Sequence, residues 1–284
     1  MAADGQANLP IGIFDSGVGG LTVVRAIRDL LPAEGILYFG DTARVPYGGK
    51  SPETVRRYAL EIAHHLGTAG VKCLVVACNT ASALALDVLR EDVSLPVLGV
   101  VGPGASAAAV ASRSGRIGVV ATRATIASGA YQQAIARERP DATVITRACP
   151  LFVPLVEEMW LGDGVTFDVI ARYLDPLMDE GIDTLVLGCT HYPFLRDAIA
   201  AHCGGGITIV DSADSCATEV EALVGKTSRS TAGPLDILLT DTPDRFLPLA
   251  NDHLQLGIES GNIRAVSPEA ISLLPPGGER ESRF

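Results

Sequence analysis

The sequence predicts an α/β protein of two related halves, each built on a largely parallel sheet. Three observations predict it. Short β-branched runs alternate with Ala- and Leu-rich stretches in the order strand, loop, helix. The β-branched runs are continuously apolar, as strands buried on both faces must be. One part of the chain also repeats another.

The strand at Ile11–Phe14 leads to a helix over Thr22–Leu31, and Leu74–Ala77 to one over Ala81–Glu91. Further on, Ile117–Val120 leads to Ile126–Arg137, and Leu185–Leu187 to Phe194–His202. In such sheets the loops at the carboxyl ends of the strands are where ligands bind and chemistry is done.

The repeat sets Gly70–Arg90 against Gly181–Ala200 without a gap, so that Cys78 matches Cys189, 111 positions later. In a similar register Ile11–Gly17 faces Ile117–Arg123, and Pro96–Val101 faces Gly206–Asp211. The boundary falls near Gly102-Pro-Gly104, and the second half ends near Asp211-Ser212. The remaining strand and helix, Ile237–Thr240 and Pro243–Leu254, need a sheet to join. The economical arrangement is an N-terminal domain of residues 1–102 plus 212–284 and a second domain of residues 103–211. Lys226–Pro234 reads as a polar loop and Pro275–Phe284 as a frayed tail.

A formal net charge of −11 with no Lys/Arg cluster disfavours a nucleic-acid partner. No run approaches the ~18 apolar residues of a membrane span, and Met1–Pro10 has no export-signal pattern, so a cytoplasmic protein with no membrane partner is expected. The six cysteines, at 73, 78, 149, 189, 203 and 216, are then expected as thiols. No Cys-x-x-Cys pair exists, and Cys189-Thr-His191 alone supplies too few ligands for zinc, so no metal is expected.

Asp15-Ser-Gly-Val-Gly-Gly20 follows a strand and precedes a helix, where backbone N–H groups can meet an anion. It is not the dinucleotide fingerprint, because Thr22 stands where the third glycine belongs. A plain glycine-rich turn with a helix cap explains it equally well.

Cys78-Asn-Thr80 and Cys189-Thr-His191 each close a strand and are expected to open a helix, whose dipole favours thiolate. Either cysteine alone reads more simply as core. As a matched pair in related halves, they would face each other across a cleft if the halves pack about a pseudo-twofold axis. Opposed thiols suit inversion of a carbon acid, one face losing a proton to thiolate and the other gaining one from thiol. Asp15, Asp41, Glu157 and His191 stand near these loops as groups to tune the thiols or bind an ammonium, although Glu158 is an equal candidate for the inward position.

Ile13-Phe-Asp-Ser-Gly-Val-Gly-Gly20, Gly40-Asp-Thr-Ala-Arg-Val-Pro-Tyr-Gly48, Ala77-Cys-Asn-Thr-Ala-Ser82 and Gly188-Cys-Thr-His-Tyr-Pro193 together resemble the bacterial glutamate racemases of the aspartate/glutamate racemase superfamily. The resemblance spans roughly residues 11–256. It implies two flavodoxin-like domains with the active site between them, a homodimer, and L- and D-glutamate as the small-molecule partner. No cofactor is implied. Position by position, it implies Cys78 as the base for D-glutamate, assisted by Asp15, and Cys189 as the base for L-glutamate, assisted by His191. It further implies Ser16, Pro46, Tyr47, Gly48, Asn79, Thr80 and Thr190 as substrate ligands, with Asp41 and Glu157 as nearby acids. D-Glutamate from such enzymes supplies peptidoglycan synthesis. The competing readings are a racemase of another acidic amino acid, a decarboxylase or isomerase on the same scaffold, and a silent amino-acid-binding protein. Decarboxylase relatives keep only one of the two cysteines.

Overall fold

In the first half, strand and helix alternate as the apolar runs require. The computed structural model describes residues 8–225, 231–242 and 244–272. Strands β1 (Ile11–Asp15), β2 (Ile36–Gly40), β3 (Cys73–Val76) and β4 (Val97–Gly99) lie in one sheet with β9 (Leu235–Leu239) and β10 (Ile263–Ala265). A second sheet contains β5 (Arg116–Ala121), β6 (Thr143–Ala148), β7 (Thr184–Gly188) and β8 (Thr208–Asp211). Among the described residues every strand pairing is parallel.

The first sheet runs β10-β9-β2-β1-β3-β4 and the second β6-β5-β7-β8. The order β2-β1-β3-β4 is therefore the order β6-β5-β7-β8, and the internal repeat is a repeat of topology. β1 and β3 are buried along their whole length, as is β7, which explains their unbroken apolar character.

Helices α1 (Leu21–Leu30), α2 (Pro52–Ala69) and α3 (Asn79–Asp92) cover the first sheet, and α4 (Val101–Ala111) leads into the second. In the second half follow α5 (Arg123–Ser128), α6 (Ala130–Glu138), α7 (Phe152–Glu157), α8 (Gly164–Asp179) and α9 (Arg196–Cys203), and α10 (Ala213–Val224) then packs back on α1. Side-chain caps start several of them: Ser51 Oγ accepts from Thr54 N, Thr122 Oγ1 from Thr125 N and Asp163 Oδ1 from Thr166 N.

Three helix expectations need correction. The run Ile126–Arg137 is split into α5 and α6, because Gly129 at φ +68° turns the chain left-handed between them. Cys189 does not open an α-helix. It leads into a tighter turn, Tyr192–Leu195, and α9 starts only at Arg196. The expected helix Pro243–Leu254 is a short turn at Phe246–Pro248 followed by a wide turn at Leu249–His253, and Pro248 has no N–H to extend a regular ladder. Pro243, residues 226–230 of the expected polar loop and the tail from Pro275 lie outside the described residues.

Candidate functional site

The carboxyl ends of β1, β3, β5 and β7 converge on a small pocket of about 20 Å³, whose lining includes Ser16, Tyr47, Cys78, Thr122, Cys189 and His191. Pro46, Gly48, Asn79, Thr80 and Thr190 line it as well. Such a volume holds about one water. The loops after β1, β2 and β3 come from the first sheet, those after β5 and β7 from the second.

Cys78 precedes α3, is 4% exposed, and its Sγ lies 3.6 Å from Ser16 Oγ. The helix N-terminus does favour thiolate here, through the Ala81 N–H, but burial works against it. Burial, with the Asp15 carboxylate second, pushes the Cys78 thiol up to about 12, outweighing the Ala81 N–H and Ser16 contacts. Cys189 is also buried, and both cysteines line the one pocket.

Asp15 ends β1 beneath the cavity and is fully buried. Its Oδ2 accepts from Gly17 N at 2.9 Å, and its Oδ1 accepts from Thr190 Oγ1 at 3.2 Å. Burial raises its pKa against the lowering influence of His191 and of the Gly17 and Gly20 N–H groups. His191 is also buried. Burial would lower its pKa, but interaction with Cys189 and Glu157 and the charge of Asp15 prevail and raise it to about 10. Its Nε2 lies 3.3 Å from Glu157 Oε1, within ion-pairing range although the N–H is not aimed at the oxygen. A histidine whose pKa is raised thus neighbours Cys189, and a carboxyl whose pKa burial raises neighbours Cys78.

Glu157 and Glu158 have separate fates. Glu157 faces His191 from a surface cleft beside the cavity, while Glu158 turns outward to Arg245 at 2.6 Å. Asp41 does not reach the cavity. It is wholly occupied behind Tyr47, accepting from the Tyr47 hydroxyl, from Arg44 Nε at 2.7 Å and from Thr240 Oγ1 at 3.0 Å. Arg44 continues to buried Glu61. Asp41 holds the loop that carries Pro46-Tyr47-Gly48 in place.

Polar contacts between the halves were not foreseen. Thr80 Oγ1 lies 3.0 Å from Thr122 Oγ1 and 3.1 Å from Thr125 Oγ1, and Tyr131 donates to Asn79 Oδ1 at 2.6 Å. Thr122 occupies the loop after β5 that matches the loop after β1, so the repeat register could have found it. Val45, inside the Gly40–Gly48 motif, and Val153, which carries no comparable signal in the sequence, complete the wall.

The tightness of the seam explains two glycines. A Cβ at Gly19 would lie 2.4 Å from Thr190 Oγ1, and one at Gly48 would lie 2.5 Å from Thr122 Cβ. Among the described residues no helix is long and apolar enough to cross a membrane. All six cysteines are free thiols.

Residues 11–220 match the family described as Asp/Glu/Hydantoin racemase. A glutamate racemase of Geobacter metallireducens is 51% identical over 264 residues, covering 92% of this chain and 97% of that protein. The crystal structure of glutamate racemase from Francisella tularensis in complex with D-glutamate superposes with a TM-score of 0.84 at 35% identity, covering 92% of this chain and 98% of that one. The Thermus thermophilus glutamate racemase in complex with beta-chloro-D-alanine gives 0.81 at 47% identity, covering 93% and 99%.

Proposed function

The chain belongs to the Asp/Glu/Hydantoin racemase family and groups there with the glutamate racemases, isomerases of glutamate, and from this premise we propose that Cys78 and Cys189 are its two acid/base groups. One observation carries the proposal: both cysteines line one small pocket, each from the corresponding loop of its own repeat.

In the L-to-D direction, Cys189 as thiolate takes the Cα proton of L-glutamate and becomes a thiol. The C–H electron pair stays on the substrate, and the Cys78 thiol gives its proton to the opposite face and becomes thiolate. The reverse reaction exchanges the roles. The elevated pKa of Cys78 suits it to start as the acid in this direction. His191, charged and next to Cys189, and Asp15, next to Cys78, assist their respective thiols. Glu157 supports His191. Ser16, Pro46, Tyr47, Gly48, Asn79, Thr80 and Thr190 surround the substrate, and Asp41 acts through Tyr47 rather than on the substrate.

A cavity with room for about one water cannot admit an amino acid without opening. Residues 1–102 with 212–284 and residues 103–211 are proposed as the two domains that separate to admit it. The wider reading is a cytoplasmic homodimer that needs no cofactor and supplies D-glutamate to peptidoglycan synthesis.

The test starts from pure D-glutamate with no cofactor added and follows optical activity by circular dichroism. Loss of the signal at a steady rate is expected. With Cys78→Ser and Cys189→Ser, racemisation should collapse. In heavy water Cys189→Ser should still wash deuterium into D-glutamate, and Cys78→Ser into L-glutamate. Near-normal racemisation by either variant would overturn the two-thiol mechanism. Wash-in equal for both enantiomers would overturn the division of labour.

A further inference from the structure

Helix α7 is six residues long and ends at Glu157. A helix this short has little power to fix its own last turn. Successive side chains on a helix point about 100° apart, since a turn takes 3.6 residues. Of the adjacent Glu157 and Glu158, only one can therefore face His191, and a modest rotation at the helix end decides which. The carbonyls of the last turn also need donors from outside the helix.

Both needs are met by one side chain from far along the chain. Arg245 Nη1 donates to the Glu157 carbonyl oxygen at 2.8 Å and pairs with Glu158 Oε2 at 2.6 Å. Arg245 follows β9, a strand of the first sheet, whereas α7 follows β6 of the second. The brace thus crosses between the two halves, at the cleft of about 290 Å³ lined by Gly17, Val18, Val45, Glu157, Glu158 and Arg245 among others. Immediately beyond it Met159 takes φ +61°, and Trp160 N returns to Leu155 O, which stops the helix at this point.

We propose that Arg245 is a positioning residue: by gripping the Glu157 carbonyl and drawing Glu158 outward, it turns the Glu157 carboxylate onto His191 and so supports the Cys189 side of the site. The inference rests on the two-thiol reading of the cavity. Arg245 touches neither sulfur, and its pair with Glu158 is exposed, 45% and 59% for the two side chains, so that pair itself adds little stability. Its effect is confined to the thiol that His191 serves.

The test uses the full chain with two reporter backgrounds. Cys78→Ser reports exchange through Cys189 as deuterium wash-in to L-glutamate, and Cys189→Ser reports exchange through Cys78 as wash-in to D-glutamate. Adding Arg245→Gln should lower the first by roughly ten-fold, the scale of a lost hydrogen bond from a charged donor, and change the second by less than about two-fold. Arg245→Lys, which keeps one charged donor, should fall between Arg245→Gln and the parent. Glu158→Gln, which leaves the carbonyl bond intact, should lower wash-in to L-glutamate alone and by a smaller factor. Equal losses on both sides would mean that Arg245 only holds the halves together, and no loss on either would mean that Glu157 keeps its place unaided; both overturn the proposal. Failure of the two-thiol reading would register separately, as near-normal racemisation in the reporter backgrounds before Arg245 is changed.

Discussion

A Cβ at Gly19 would lie 2.5 Å from Nδ1 of His191, so the glycine loop after β1 and the histidine after β7 are in mutual contact with no room for one more carbon. Gly19→Ala must therefore displace His191 and Thr190 together. A displacement near 1 Å in an active site costs on the order of 10²-fold in rate. The expectation is a loss of that size in kcat/KM with an unchanged far-ultraviolet circular dichroism spectrum. Gly205→Ala, where a Cβ meets nothing within 4 Å, is the control and should retain full activity.

Tyr47→Phe removes one donor from buried Asp41 and leaves Arg44 and Thr240 in place. A buried acceptor losing one of several partners costs about 1–2 kcal/mol. The urea midpoint should fall accordingly. The ring stays in the pocket lining but loses its tether to Asp41, so KM should change more than kcat.

His191 carries a pH signature whose sign follows from its raised pKa. Its partners Cys189, Glu157 and Asp15 raise it from 6.5 to about 10 in the folded chain, so its stabilising contribution is complete below about pH 6.5 and is lost as the pH rises through 10. The stability gap between the wild type and His191→Gln should be large near pH 6 and narrow steadily as the pH rises across that window. Denaturation at a series of pH values measures it, and a gap that widens with pH would contradict the assignment.

Gly129 sits at φ +68° between α5 and α6. Gly129→Ala should cost about 1 kcal/mol, the price of a left-handed residue with a Cβ, and Gly129→Asn less, because asparagine tolerates that region. Thermal unfolding of the two variants ranks them.

Much of this architecture was legible because it is local. Apolar runs mark buried strands, and the register of Cys78 against Cys189 survives as a repeat of identical loop positions. What escaped depends on contacts distant in sequence. Ile126–Arg137 has helical composition throughout, and only the left-handed turn at Gly129 divides it. Asp41 was grouped with the site because it shares a motif with Pro46-Tyr47-Gly48, but its carboxylate is claimed by Tyr47, Arg44 and Thr240, the last 199 residues away. Between Glu157 and Glu158 no local rule could choose, since the choice rests on Arg245, 88 residues downstream. The resemblance named Thr80 among its implied ligands; its hydroxyl partners Thr122 and Thr125, from the second half, were beyond it.

The place of β9 also bears on how the chain comes off the ribosome. β2, the segment Ile36-Leu-Tyr-Phe-Gly40, pairs with β1 on one side and with β9 on the other, yet β9 begins only at Leu235, after the whole second sheet. At ribosomal speeds of about 5–20 residues per second, roughly 10–40 s separate the synthesis of the two strands. Throughout that interval an entirely apolar strand presents an open edge, the kind of template onto which a second nascent chain can add. The first sheet is therefore exposed to intermolecular pairing until the second is complete, and its protection during synthesis falls to chaperones or to the speed with which the C-terminal segment arrives.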